Sequence, residues 1–217
     1  MLTNVSDLLH AWRGALPPAA PAAGVTRVGE ELLARWAEPQ RHYHTVAHLH
    51  AVLAVVDGNA SAAVDPTAVR LAAWFHDAVY DPTRGDNEEA SAVLAERVLP
   101  QLGVDPPRVA EVARLVRLTA THDPRPDDRD GGLLTDADLA ILAAPPDAYR
   151  AYTVAVRREY AHVDDATFAA GRASVLASLL ALPRLFHTAA LRARWEGAAR
   201  QNLTTELATL HHSPGAA

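Results

Sequence analysis

At 217 residues the chain is long enough for one well-buried domain. Its net charge of −6, with histidines neutral, argues against nucleic acid or an anionic membrane as the main partner. Cysteine is absent, which excludes disulfides, thiolate metal sites and a cysteine nucleophile and leaves eleven histidines as the nitrogen ligands.

Alanine and leucine dominate the apolar residues, a composition that favours helices because those side chains lose little freedom there. The first predicted helix covers 5–13 and stops before Leu16-Pro17-Pro18-Ala19-Ala20-Pro21. A second starts near Thr26, carries Val28, Leu32, Leu33 and Trp36 on one face, and ends at Pro39. Thr45 caps a third, whose apolar stripe is Val46, Leu49, Val52, Leu53 and Val56. Asp65-Pro66 opens a fourth that runs through Val69, Leu71, Trp74 and Phe75 to His76-Asp77 and ends near Asp81-Pro82. Residues 87–102 and 106–121 give two more, and 122–132, rich in Asp, Pro and Gly, reads as a loop. Helices resume at 136–143, 146–162, 165–182 and 188–210, before a tail expected to fray from His211.

Strand signals are nearly absent, as are internal repeats and a second-domain boundary. The expected fold is therefore an all-α, single-domain helical bundle over 1–217, with a metal-binding core at about 41–143 and C-terminal helices at about 146–210. No stretch is apolar for long enough to cross a bilayer, and residues 1–7 lack the basic start and apolar core of an export signal. A cytoplasmic location is the expectation, with no membrane and no nucleic-acid polymer as partner and a homo-oligomer left open.

His76-Asp77 is the feature that bears most on function. It interrupts the apolar run Leu71-Ala72-Ala73-Trp74-Phe75, where burying an unpaired carboxylate costs several kcal/mol or forces it to take up a proton. A divalent ion removes that cost by taking imidazole nitrogen and carboxylate oxygen as ligands. His44 and His48, four apart, share a helical face upstream, and Asp136 and Asp138 lie downstream. Each also has a plain structural account. His48 suits a hydrogen-bonded helix histidine, His76-Asp77 a helix C-terminus, and Asp136 an N-cap. Together they place nitrogen and oxygen donors on three successive elements, which favours a metal site.

The order His48, His76-Asp77, Asp138 resembles the HD superfamily of metal-dependent phosphohydrolases. The likeness is closer to an uncharacterised bacterial branch, on Arg41-His42-Tyr43-His44-Thr45-Val46-Ala47-His48, Phe75-His76-Asp77-Ala78-Val79-Tyr80-Asp81, Asp86-Asn87-Glu88-Glu89-Ala90-Ser91-Ala92 and Asp136-Ala137-Asp138-Leu139. Later blocks are Arg157-Arg158-Glu159-Tyr160, Gly171-Arg172 and Ala199-Arg200-Gln201-Asn202-Leu203. The resemblance implies His48, His76, Asp77 and Asp138 as metal ligands. Asp136, two residues from Asp138, would then be a cap or a partner that orients a histidine. It also raises His122 as a ligand to a second ion, against the alternative of a loop histidine satisfied by water or a carbonyl. His44 fits a supporting or substrate-contacting role.

The implied activity is hydrolysis of a phosphate ester or anhydride of a nucleotide or other small phosphate compound by metal-activated water. Neither the metal (Mn, Mg, Fe, Ni or Zn) nor the count of one ion or two is distinguished. Many relatives carry a glutamate three or four residues past the His-Asp pair, where this chain has Tyr80 and Asp81. Asp81 and Glu88 are the substitutes for a general acid, and both also suit helix-terminal charges. Arg41, Arg157 and Arg172 are the candidate substrate cations, since guanidinium pairs bidentately with phosphate. Two other readings stay open: a di-iron oxygenase acting on an organophosphonate or polyol, and a metal-stabilised binding protein without turnover.

Overall fold

Short polar side chains write half of the described α-helix starts into this chain. In the computed structural model, which describes residues 5–212, ten α-helices follow one another, joined by turns and three short 3-10 segments, with no strand among the described residues. They are α1 (Val5–Gly14), α2 (Ala22–Trp36), α3 (Val46–Gly58), α4 (Pro66–Phe75), α5 (Asn87–Val98), α6 (Pro106–Leu118), α7 (Arg129–Asp138), α8 (Pro146–Glu159), α9 (Asp165–Ala181) and α10 (Ala189–His212). Thr45, Asp65, Asp105, Asp128 and Asp164 each accept a first-turn backbone N–H, which satisfies donors that have no partner within the helix. The fold is an all-α bundle.

The main core gathers around Trp12, Trp36 and Trp74, all fully buried. Their indole N–H groups are satisfied where partners are needed: Trp12 donates to Val25 O at 2.9 Å and Trp36 to Trp74 O at 3.1 Å. α4 runs through the middle, with every residue from Ala68 to Phe75 buried except Arg70. A second cluster, around Leu142, Leu176, Phe186 and Leu203, belongs to the C-terminal helices, and Trp195 packs against both.

Three boundaries differ from expectation. α2 begins at Ala22, directly after Pro21, four residues before the expected start. α4 stops at Phe75 and does not reach Asp81. The groups that would continue the ladder have other partners: Ala73 O accepts from His76 Nδ1 (2.9 Å) and Trp74 O from the Trp36 indole N–H (3.1 Å), while Ala78 N turns to Phe75 O (2.9 Å) and Val79 N donates to Ser91 Oγ (3.0 Å). The expected loop at 122–132 is shorter, because α7 starts at Arg129 under an Asp128 cap. Gly131 belongs to this start for steric reasons, since a Cβ there would collide with the Asp128 carboxylate and with Leu118. The expected helix at 136–143 is thus the end of α7 followed by a 3-10 turn over Leu139–Ala143. The tail from Ser213 onward lies outside the described residues.

Candidate metal centre

α3, α4 and α7 converge at their ends. His48 stands in the first turn of α3, His76 closes α4, Asp77 follows it, and Asp138 is the last residue of α7. His48 Nε2 and His76 Nε2 are 3.3 Å apart. Asp138 Oδ1 is 3.1 Å from His48 Nε2 and 3.6 Å from His76 Nε2, while Asp77 Oδ2 is 3.8 and 3.2 Å from the same two atoms. Two ligands each about 2.1 Å from one ion and at right angles stand about 3 Å apart, so this spacing suits a shared cation. The buried His48, His76 and Asp138 group could hold a metal ion, and Asp77 Oδ2 adjoins both imidazoles.

The ring of His76 is set for the task. Its Nδ1 donates to Ala73 O at 2.9 Å, which leaves Nε2 as the ring atom directed at the cluster. The Trp36 ring backs both imidazoles, with centroids 5.3 Å from His76 and 6.1 Å from His48. Burial pushes the His76 imidazole down, but Asp77 and Asp138 beside it prevail and hold its pKa well above the ordinary value. Burial pushes Asp77 and Asp138 up, and the imidazoles around them together outweigh it (His76 and His44 for Asp77, His76, His122 and His48 for Asp138), so both carboxyls lie below their usual range. For His48, burial dominates and the pKa is lowered.

His122 reaches the other oxygen of Asp138, with Nε2 2.8 Å from Oδ2. Its backbone sits in the left-handed region, at φ 51°, a conformation that costs a non-glycine residue of the order of 1 kcal/mol. Asp136 orients no histidine ring of the cluster, and it caps a distant helix in place of its own. It is fully buried but faces away from the cluster, accepting the N–H groups of His187 (2.6 Å) and Thr188 (2.7 Å) and so fastening the start of α10. Burial pushes its carboxyl up to about 6.

Glu159 is the residue that sequence reasoning missed, although it lies in the Arg157-Arg158-Glu159-Tyr160 block. One oxygen accepts three consecutive N–H groups, from His42, Tyr43 and His44, at 2.7, 2.7 and 2.9 Å. The other accepts from His44 Nδ1 at 2.7 Å and from the Tyr80 hydroxyl at 2.9 Å. Burial pushes this carboxyl up, but the His44 contact and the backbone donors outweigh it and hold the pKa at about 2. A faint signal was present: an acid ending a helix opposes the helix dipole, so it calls for a specific partner.

The cluster's carboxylates, Asp77 and Asp138, line a cavity of about 460 Å³ with His44, His122, Glu88 and Arg172, while the buried His48 and His76 are not part of its lining. A larger groove of about 530 Å³ between α2 and α5 contains none of the clustered ligands. Of the expected arginines, Arg172 lines the cavity but is bonded to Glu206 at 2.7 and 3.0 Å. Arg41 is no substrate cation: its side chain is fully buried and donates to the carbonyls of His44, Asp77 and Ala78. Nor is Arg157, which closes the α8–α9 connection through Asp165, Tyr160 O and Val163 O. Asp81 is occupied by Thr83 and does not line the cavity, so Glu88 is the expected acid that the fold brings to it.

Comparison with protein-family models, curated proteins and solved structures finds no match to this chain.

Among the described residues, no helix is long and apolar enough to cross a membrane.

Proposed function

We propose that this chain is an HD-type, metal-dependent phosphohydrolase acting on a small phosphate ester. The observation that carries the reading is the meeting of two imidazole nitrogens and two carboxylate oxygens at the ends of three helices, with both carboxylates lining a cavity. A divalent cation held by His48, His76, Asp77 and Asp138 would supply a Lewis acid for a phosphoryl oxygen and for water near neutral pH. The chain's own residues would do the rest. Asp138, tethered by His122, and His76, tethered by Ala73 O, keep the donor atoms oriented. His44 gives its Nδ1 hydrogen to Glu159, which leaves Nε2 as the ring atom free to pass a proton to the leaving oxygen. Glu88 is the second candidate for that transfer.

The test is turnover of phosphomonoesters and phosphodiesters by manganese-loaded protein. Wild-type rates far above those of His76→Ala support hydrolysis, and equal rates support a binding protein without turnover. A second reading, a paired-iron oxygenase, draws on the 2.8 Å contact of His122 with the outer oxygen of Asp138. Two irons per chain by elemental analysis, with His122→Ala losing one of them, would favour it.

A further inference from the structure

The cavity's charge and its aromatic wall say more about the substrate than the metal ligands do, and the substrate class read from them rests on the hydrolase proposal. Beyond the imidazoles, the cavity lining carries two cations, Arg84 and Arg172, and both are already ion-paired. Arg84 meets Asp86 through two bonds of 2.8 Å, and Arg172 meets Glu206. Asp77, Glu88 and Asp138 bring carboxylates to the same lining. A cavity so short of free positive charge can neutralise one phosphoryl group at the metal cluster, but not a chain of them.

Much of the remaining lining is of another kind. Four of the chain's five tyrosines, Tyr43, Tyr80, Tyr152 and Tyr160, line the cavity, and the fifth, Tyr149, packs on Tyr152 with centroids 5.5 Å apart. Tyr43 and Tyr152 meet edge to face at 4.6 Å, and the Arg172 guanidinium lies 5.2 Å from the Tyr152 ring centroid, which stiffens that ring. Ile141, Leu142, Val175 and Leu179 complete an apolar wall, and Val175 remains 51% exposed. Asn87 and Thr119 add polar groups to the charged ones, and an apolar wall combined with convergent polar groups is the usual form of a site for a small molecule.

We infer that the substrate is a phosphomonoester with a single phosphoryl group, whose alcohol carries an aromatic ring or an apolar group of nucleoside size or smaller. The phosphoryl group lies over the metal cluster. The ring lies against Tyr43, Tyr152 and Leu179, where it loses water-exposed area that a hydroxylated sugar would not gain by losing. Hydrolysis cleaves the phosphorus–oxygen bond: water supplies the new oxygen on phosphorus, and the departing alkoxide takes a proton and leaves as the alcohol.

Benzyl phosphate and glucose 6-phosphate test this cleanly, since both are monoesters of primary alcohols with similar leaving ability. Manganese-loaded protein should turn over benzyl phosphate with a kcat/KM at least about tenfold above glucose 6-phosphate and above pyrophosphate. Leu179→Asn, checked for an unchanged melting curve, should narrow the benzyl-to-glucose ratio through KM. Equal or faster turnover of glucose 6-phosphate or pyrophosphate would overturn the inference and leave the hydrolase reading standing. Turnover of none of the three, nor of any other phosphate ester, would overturn both.

Discussion

The buried cluster around Trp12, Trp36 and Trp74 and the one around Leu176, Phe186 and Leu203 contribute unlike things to one cavity. The first holds every clustered ligand, on helices whose inner faces are almost wholly buried. The second supplies Arg172, Val175 and Leu179, from a helix, α9, with a single fully buried residue, Leu176. Ligand geometry must be held to tenths of an ångström, which dense packing provides. A wall that meets an apolar group tolerates more play. Glu159 joins the two regions, binding the chain just before α3 from the end of α8.

The sharpest way to break this division is to remove a ligand from the first region. His76→Ala should lower turnover of a phosphate ester more than about 100-fold and abolish the rise in melting temperature on adding manganese. A retained manganese-dependent rise would show that the imidazole is not needed for binding.

The joint between the regions comes next. Glu159→Ala strands three backbone N–H groups and the His44 ring, and should cost about 3 kcal/mol in chemical denaturation. A loss below about 0.5 kcal/mol would mean the junction is held elsewhere. The pH dependence sharpens the point. The Glu159 carboxyl is depressed from 4.5 to about 2, so its stabilisation is complete above 4.5 and is lost as pH falls through about 2. In chelator-treated protein, the fall in melting temperature over that window should be shallower for Glu159→Gln than for wild type.

Metal affinity should depend on pH where a carboxylate-only site held by groups already ionised would be flat. His76, raised by Asp77 and Asp138 against the effect of burial, must release its proton before it can bind an ion. Below its raised pKa, affinity for manganese should therefore fall by about tenfold per pH unit, with protons released on binding at constant pH. Binding without proton release would contradict that protonation state. The smallest expected effect lies in the second region: Arg157→Ala should cost no more than about 1 kcal/mol and leave turnover unchanged, because its partners are the loop after α8 and an exposed Asp165.

How much of this was legible beforehand depends on distance along the chain. Thr45 and Asp65 announce their helices because a cap acts within three residues. His76-Asp77 stood out because charge in an apolar run has few explanations. The early end of α4 did not, since it depends in part on Trp36, 38 residues upstream of the Trp74 carbonyl it takes. Asp136 looked like a local cap and is instead a cap for α10, about 50 residues on, which no local pattern reveals. Glu159 reaches back across 115 residues to His44, and Arg41 and Arg157 look like free cations until the carbonyls around them are seen.

Elemental analysis of the purified protein, dialysed after manganese loading, bears most directly on whether imidazoles and carboxylates brought from three helices grip a cation. Wild type should retain at least about one equivalent per chain, and Asp77→Ala should retain almost none while keeping its helical circular dichroism. Equal metal in the two proteins would contradict the assignment of Asp77 and, with it, the site.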